Sequence, residues 1–196
     1  MVEGRQMFAK AIIQNVVSTG KILDKKLDLY SLSSHIKNSK YTPNRFSALI
    51  IKIKEPIRAT ALIFSNGRIV CVGTKSVRDS ELSIKHFVKI ISDGTFSPIN
   101  MHDFRIQNVV ASFSFHGSLN LPALYDSLRI VRPEWLAKHI SYNPEFFPGM
   151  CLRMKESRAV VIVFTTGKCI ITGARSEKEI YYVQHKMYDT ILTFVK

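Results

Sequence analysis

The word Gln14-Asn15-Val16-Val17 recurs letter for letter as Gln107-Asn108-Val109-Val110. Three more blocks return in the same order. Tyr41-Thr42-Pro43-Asn44-Arg45-Phe46 is matched by Tyr142-Asn143-Pro144-Glu145-Phe146-Phe147, and Phe64-Ser65-Asn66-Gly67-Arg68 by Phe164-Thr165-Thr166-Gly167-Lys168. Val72-Gly73-Thr74-Lys75-Ser76 is matched by Thr172-Gly173-Ala174-Arg175-Ser176. One short word recurs by chance; four in fixed order mark a tandem duplication. The repeats cover 11–100 and 104–196, after a short extension at 1–10. Offsets between the blocks place a net eight extra residues in the second half, between Asn108 and Phe147, most simply between Ser127 and Ser141. One extra residue in the first half falls at Glu55-Pro56-Ile57-Arg58.

Each repeat reads as strand, helix, three strands, helix. Ala11–Val17 is rich in β-branched residues. Leu27–Asn38 carries Leu29, Leu32 and Ile36 at helical spacing, and Tyr41-Thr42-Pro43-Asn44 reads as a turn. Phe46–Lys54, Thr60–Ser65 and Arg68–Gly73 read as strands, with Asn66-Gly67 as a two-residue hairpin and Thr166-Gly167 in the same place. A long helix follows Ser76, with Leu82, Ile84, Phe87, Val88 and Ile91 as its stripe and Gly94 as a C-cap. Its counterpart follows Ser176, with a Ser176/Glu179 capping box and a stripe of Ile180, Val183, Met187 and Ile191. Pro133-Glu134-Trp135-Leu136-Ala137-Lys138 reads as a further helical start, either a longer helix whose Trp135, Leu136 and Ile140 pack on the helix-bearing face or a contact for a partner away from the open face.

Hairpin-length loops predict an antiparallel sheet with helices on one face. Such a sheet should alternate apolar and polar residues. Here Val70 and Val72 share one side, Cys71 faces the other, and all are apolar; Ile170 and Ile171 behave alike. Something must therefore cover the second face, and the element count leaves no layer of the chain for it. A bound partner is the expectation.

The chain has 196 residues, 46% of them hydrophobic, and a formal net charge of +13. Residues 1–100 carry +9 and residues 101–196 carry +4, so the basicity is spread over both halves, as an acidic partner touching both would require. The longest apolar run, Ala159–Phe164, is too short to cross a bilayer, and Met1–Lys10 has no apolar signal core. Cys71, Cys151 and Cys169 form no paired motif, sit in apolar runs and read as buried free thiols of a reducing compartment. The histidines are scattered, so no metal site is expected. No catalytic set is expected either: there are no paired carboxylates or nucleophile–base pair, and Thr165-Thr166-Gly167-Lys168 lacks the first glycine of a phosphate loop.

The motifs Gln14–Thr19, Tyr41–Phe46, Glu55–Phe64 and Glu145–Gly149 resemble the conserved core of the TATA-box-binding protein (TBP) family, over nearly the whole chain. The resemblance implies an α+β pseudo-twofold saddle: one curved ten-stranded antiparallel sheet with four helices on the convex face. It implies a general transcription initiation factor, not an enzyme, that needs no cofactor and binds the minor groove of double-stranded A·T-rich promoter DNA.

Carried over residue by residue, the family pattern makes Phe46 with Phe64, and Phe147 with Phe164, two pairs of intercalating wedges. An isolated phenylalanine usually fills a core, but these four flank turns, where a wedge belongs. Asn15 and Asn108 would donate to minor-groove acceptors, and a guanine amino group would exclude them. Val17, Val70, Val72, Val110, Ile170 and Thr172 would make the flat groove contact. Val72 stands where the pattern has a threonine matching Thr172, which places the symmetry of TATA recognition in question. Phosphates would be met by Arg45, Lys52, Arg68 and Lys75 in the first half, and by Arg153, Arg158, Lys168 and Arg175 in the second, with Arg58 a further candidate.

The loop with Glu145, Phe146, Pro148 and Gly149 would dock a transcription factor IIB-type protein, although Asn143 replaces an acid often found there. Transcription factor IIA-type proteins and TBP-associated factors are the other implied partners, with nuclear localisation and a homodimer through the concave face when DNA is absent. A TBP-related paralogue with altered promoter preference, and a transcription scaffold without TATA specificity, are the alternatives.

Overall fold

A computed structural model of the chain describes residues 9–22, 26–95 and 97–195. The first half contains β1 (Ile12–Lys21), α1 (Leu29–His35), β2 (Ser39–Thr42), β3 (Phe46–Ile53), β4 (Ala59–Ile63), β5 (Arg68–Thr74) and α2 (Val77–Thr95). The second contains β6 (His102–Ser114), α3 (Leu121–Ile130), β7 (Leu136–Asn143), β8 (Phe147–Met154), β9 (Val160–Val163), β10 (Lys168–Ala174) and α4 (Glu177–Ile191), then a short 3-10 turn at Leu192–Phe194. The strands form one ten-stranded antiparallel sheet in the order β2-β3-β4-β5-β1-β6-β10-β9-β8-β7. Packing divides the chain into two compact units, Gln14–Asn108 and the remainder, so β1 is cut after Ile13 and β6 after Asn108.

In the first unit, one face of the strands is core. Leu49, Ile63 and Ile69 stand side by side across β3, β4 and β5, as do Ile51, Ala61 and Cys71. All are buried against Ile84, Phe87 and Ile91 of α2 and Leu29 and Leu32 of α1. The second unit repeats this with Met150–Val163–Cys169 and Leu152–Val161–Ile171 under Ile180, Val183, Met187 and Ile191.

Two strands, β2 and β7, lie where sequence reading placed turn and helix. α1 is shorter than 27–38. Asp28 caps it by accepting from the Tyr30 and Ser31 amides at 3.0 and 3.1 Å, and Ile36 leaves helical geometry at φ −97°, ψ 118°. Tyr41 and Thr42 belong to β2, so the turn is Pro43–Arg45, closed by the Arg45 amide on Thr42 O at 2.9 Å. Pro133–Trp135 is a turn, not a helical start, with the Leu136 amide on Pro133 O at 3.0 Å. Leu136 and Ile140 are buried, but on a strand. An apolar spacing of four satisfies a helix, and it also satisfies the two-residue period of a strand. A bulge between Leu136 and Ile140 turns out the intervening Lys138, which blunts this sheet edge.

The extra residues of the second half are therefore shared out. α3 has ten residues against seven in α1, and β7 has eight against four in β2. The first-half extra residue lies in the loop between Ile53 and Ala59.

Three smaller readings also change. The hairpins at Ser65–Gly67 and Thr165–Gly167 have three-residue loops. Each Gly amide donates to the preceding Phe carbonyl at 3.0 Å, and the glycines sit at φ +80° and +81°, a turn plus bulge in place of a two-residue turn. Gly94 lies inside α2 against Ile36, and Leu82 is exposed, off the buried stripe. Ser176 caps α4 on the Glu179 amide at 3.1 Å, while the Glu179 carboxylate reaches the Arg175 amide at 2.7 Å, one residue before the cap.

Candidate nucleic-acid interface

The face opposite the helices carries half-buried apolar residues in rows set by strand register. In the first unit, Ile50, Leu62, Val70 and Thr19 lie side by side, and the next row is Lys52, Thr60 and Val72. The second unit aligns Cys151, Ile162, Ile170 and Ser112, then Arg153, Val160 and Thr172. Ile50, Leu62, Ile162 and Cys151 escaped sequence reading. Stepping back two residues from each hairpin, as the pleat requires, would have put Leu62 opposite Val70.

The rows also bear on Val72. Its cross-strand neighbour is Thr60, whereas Thr172 faces Val160. Each half thus keeps one threonine in this row, on opposite members of the pair.

The phenylalanines meet in pairs. Phe46 and Phe64 have ring centroids 6.5 Å apart at 66°, and Phe147 and Phe164 are 6.0 Å apart at 68°. Phe46 is 42% exposed and Phe147 44%, so neither is core filler. Beneath the second pair lies Gly149, buried, where a Cβ would come within 2.7 Å of Phe147 Cε1 and of Ile162 Cγ2. The corresponding first-half residue is Ala48, also buried. Gly149 therefore sits under the rings, while Glu145, Phe146 and Pro148 are exposed in and beside the preceding turn. Phe146, at 87%, is the most exposed large apolar side chain among the described residues.

Asn15 Oδ1 accepts the Gly73 amide at 2.8 Å. Gly73 has φ +97° beside a bulge between Val16 and Ser18, a conformation that favours glycine. The bond orients the carboxamide with its oxygen occupied, so its NH2 is the group able to donate to a base edge. Val17, Asn108 and Val110 are half-buried, between fully buried Val16 and Val109.

Arg45 lies in the turn before β3 and Lys52 on β3. Arg68 and Lys168 open β5 and β10, and Lys75 and Arg175 follow those strands. Arg153 is on β8, and Arg58 and Arg158 precede β4 and β9; all nine are exposed. No group of three or more potential metal ligands occurs among the described residues.

Burial pushes the Cys169 thiol up to about 12 and the Cys71 thiol up to about 11, the latter despite hydrogen bonds with Ser80 and Ser18. Cys151, expected to be buried like the other two, is only half-buried, because its place on β8 turns it to the open row beside Ile162 and away from the helices. A maleimide at pH 8 is expected to modify Cys151 in the native protein and spare the other two, as mass spectrometry of peptides would report. The folded state holds the two buried thiols neutral. Their stabilising contribution is complete below about pH 9 and is lost as pH rises through 11 to 12. Melting temperature should fall across that window.

Each unit carries a sheet face built from equivalent rows, the mark of a duplicated sheet-face module. The family described as "Transcription factor TFIID (or TATA-binding protein, TBP)" matches residues 10–93 and 103–194, and the chain belongs to that family, one of DNA-binding transcription factors and not of enzymes. It is 40% identical over 184 residues to the TATA-box-binding protein of Bombyx mori, covering 94% of this chain and 56% of that one. It is 38% identical to TATA box-binding protein-like 2 of Rattus norvegicus, covering 94% and 50%, and 37% identical to TATA-box-binding protein 1 of Triticum aestivum, covering 94% and 75%. The chain thus spans about half the length of its insect and rodent relatives. Among solved structures, Methanococcus jannaschii TBP superposes with a TM-score of 0.74 at 31% identity, covering 94% of this chain and 99% of that one.

Proposed function

We propose that this chain is a general transcription initiation factor that binds the minor groove of TATA-like, A·T-rich promoter DNA and kinks it with two phenylalanine pairs. The observation that carries the reading is the open sheet face. Each half presents a flat apolar row ending in a paired, half-exposed phenylalanine edge with cations beside it. Burying such a surface against a widened minor groove needs no hydrogen bonds from the rows, while the rings replace lost stacking at each kinked step. TBP is itself a standard example of that mode of binding.

In this reading the chain is two repeats of one module, 11–100 and 104–196, after an extension at 1–10. Phe46, Phe64, Phe147 and Phe164 intercalate. Asn15 and Asn108 donate to the groove floor between Val17, Val70, Val72, Val110, Ile170 and Thr172. The eight cations from Arg45 to Arg175 named for the two halves hold phosphates.

The test is affinity for an A·T-rich eight-base-pair site against a G·C-substituted one over a salt series. Strong preference for A·T is expected, with a slope of log K on log salt of about −4 to −7, below the roughly −0.9 per contact limit for eight phosphates because the interface is largely apolar. Equal affinity for both duplexes would overturn the reading. Val72 opposite Thr60 favours one second reading, a paralogue with altered promoter preference; Val72→Thr should then shift the ranking of A·T-rich sites.

The exposed turn at Glu145–Phe146 is the proposed docking loop for a transcription factor IIB-type partner. Transcription factor IIA-type proteins, TBP-associated factors, nuclear localisation and a DNA-free homodimer through the same open face complete the proposal. Glu145→Arg should weaken a ternary complex with DNA and a IIB-type factor roughly tenfold in a gel-shift titration, with binary DNA affinity retained; an unchanged ternary affinity would remove Glu145 from the docking loop.

A further inference from the structure

The segment that carries α3 into β7 is longer than its first-half counterpart, five residues at 131–135 against three at 36–38. It ends on Trp135, the chain's single tryptophan. The backbone fixes that residue: Trp135 O accepts the Lys155 amide at 2.8 Å, and the next residue, Leu136, pairs with Met154. Met154 is buried and Arg153 beside it is exposed in the open row, so Met154 faces the helices. On that helix-bearing side Trp135 is half-buried and lines two adjoining hollows, of about 230 and 660 Å³. Tyr182 of α4 and Glu156 of the loop after β8 line both with it.

The charge here runs against that of the chain, which carries 28 Lys and Arg to 15 Asp and Glu. The smaller hollow is lined by Glu156 and Glu179 and, among the described residues, by no cation. Glu134 joins Glu156 in the larger one, opposite Lys155 and Lys186. Neither Glu134 nor Glu156 makes an ion pair among the described residues. Lys186 lies instead with its Nζ 5.6 Å from the centre of the Tyr182 ring, so that ring already accepts an ammonium group. Aromatic faces beside unpaired carboxylates suit a cation: the ring quadrupole attracts it, and the carboxylates take its hydrogen bonds.

The module itself does not require these rings. By the Ser76/Ser176 correspondence Tyr182 is matched by Leu82, and the two are 49% and 46% exposed, so the core dictates neither. Trp135 falls in the longer linker of the second half.

We propose that the Trp135–Tyr182 groove docks a basic segment of a protein partner, with an arginine or lysine side chain entering the smaller hollow against the rings to meet Glu156 and Glu179. The groove lies on the opposite side of the second unit's sheet from the open rows. It is therefore independent of the DNA reading, and its acids would repel a nucleic acid.

The fluorescence of the only tryptophan reads the groove directly. The whole chain is titrated with an end-capped Gly-Arg-Gly-Arg-Gly peptide and with the same peptide carrying Glu in place of Arg. A saturable change in emission is expected with the arginine peptide, at a Kd on the order of 0.1 mM, and none with the glutamate peptide. Glu156→Gln and Tyr182→Leu alter exposed side chains, so the circular dichroism spectrum and the DNA affinity should stay as they are. Each should weaken the arginine peptide about threefold, and the two together on the order of tenfold. Absence of an emission change overturns the proposal, as does a response undiminished in the double variant. Preference for the glutamate peptide would assign the groove to an acidic partner on Lys155 and Lys186. An emission change on raising the protein concentration alone, with a dimer in sedimentation, would assign it to a second copy of the chain. Either outcome overturns the basic segment, and so does loss of DNA affinity in a folded variant, which would place the groove in the DNA path.

Discussion

Replacing both Phe147 and Phe164 with alanine is expected to abolish one of the two kinks in bound A·T-rich DNA and to weaken binding by about a hundredfold. In the proposed complex each pair offsets an unstacking cost of a few kcal/mol at its step. The pair is in edge contact with itself at 6.0 Å and Phe147 is 44% exposed, so removal forfeits little core. Fold stability should fall by about 1–2 kcal/mol, well short of the 3–5 typical of a buried phenylalanine. Phe87→Ala, at a fully buried site, is the contrasting variant: it should cost that larger amount. End-to-end energy transfer in a labelled duplex reads the bend, and denaturant melts read stability. An unchanged bend with both rings removed would return Phe147 and Phe164 to a packing role.

The second large effect is expected from a residue with no side chain. A valine at Gly149 would drive its Cβ to within 2.7 Å of Phe147 Cε1 and Ile162 Cγ2, and within 3.1 Å of Phe164 Cε1. Backbone and rings cannot all keep their places, so Gly149→Val should split the pair and reduce DNA affinity tenfold to a hundredfold. Alanine adds the same Cβ without the two further methyls of valine, and Ala48 shows that a Cβ is accommodated at the matching place on β3, so Gly149→Ala should be milder. A Gly149→Val variant that binds and bends normally would show that the ring pair need not keep its observed geometry.

Much of this was legible in the residues. The recurrent Gln-Asn-Val-Val word and its three companion blocks are local identities, and identity needs no third dimension. The apolar character on both sides of Val70–Val72 is likewise a property of strand alternation, and it is enough to predict a second apolar face. Other features had no local signal. β2 and β7 are edge strands whose pairing partners lie elsewhere in the chain, and their own residues fit turn or helix as well. Lys138 shows why: only a bulge opposite β8 turns it out from between buried Leu136 and Ile140.

The sequence by itself determined the duplication, the order of the major elements, the basic character of both halves and the four phenylalanines beside turns. Those follow from residue type and short-range spacing, which act over one or two turns of chain. Only the tertiary structure decided that Ile50 and Leu62 complete the Val70 row, that Gly149 makes room for two rings, and that Trp135 and Glu156 share a groove. Each of those depends on cross-strand register and bulges, where residues tens of positions apart are brought within a strand spacing of about 4.8 Å, a distance that no local pattern encodes.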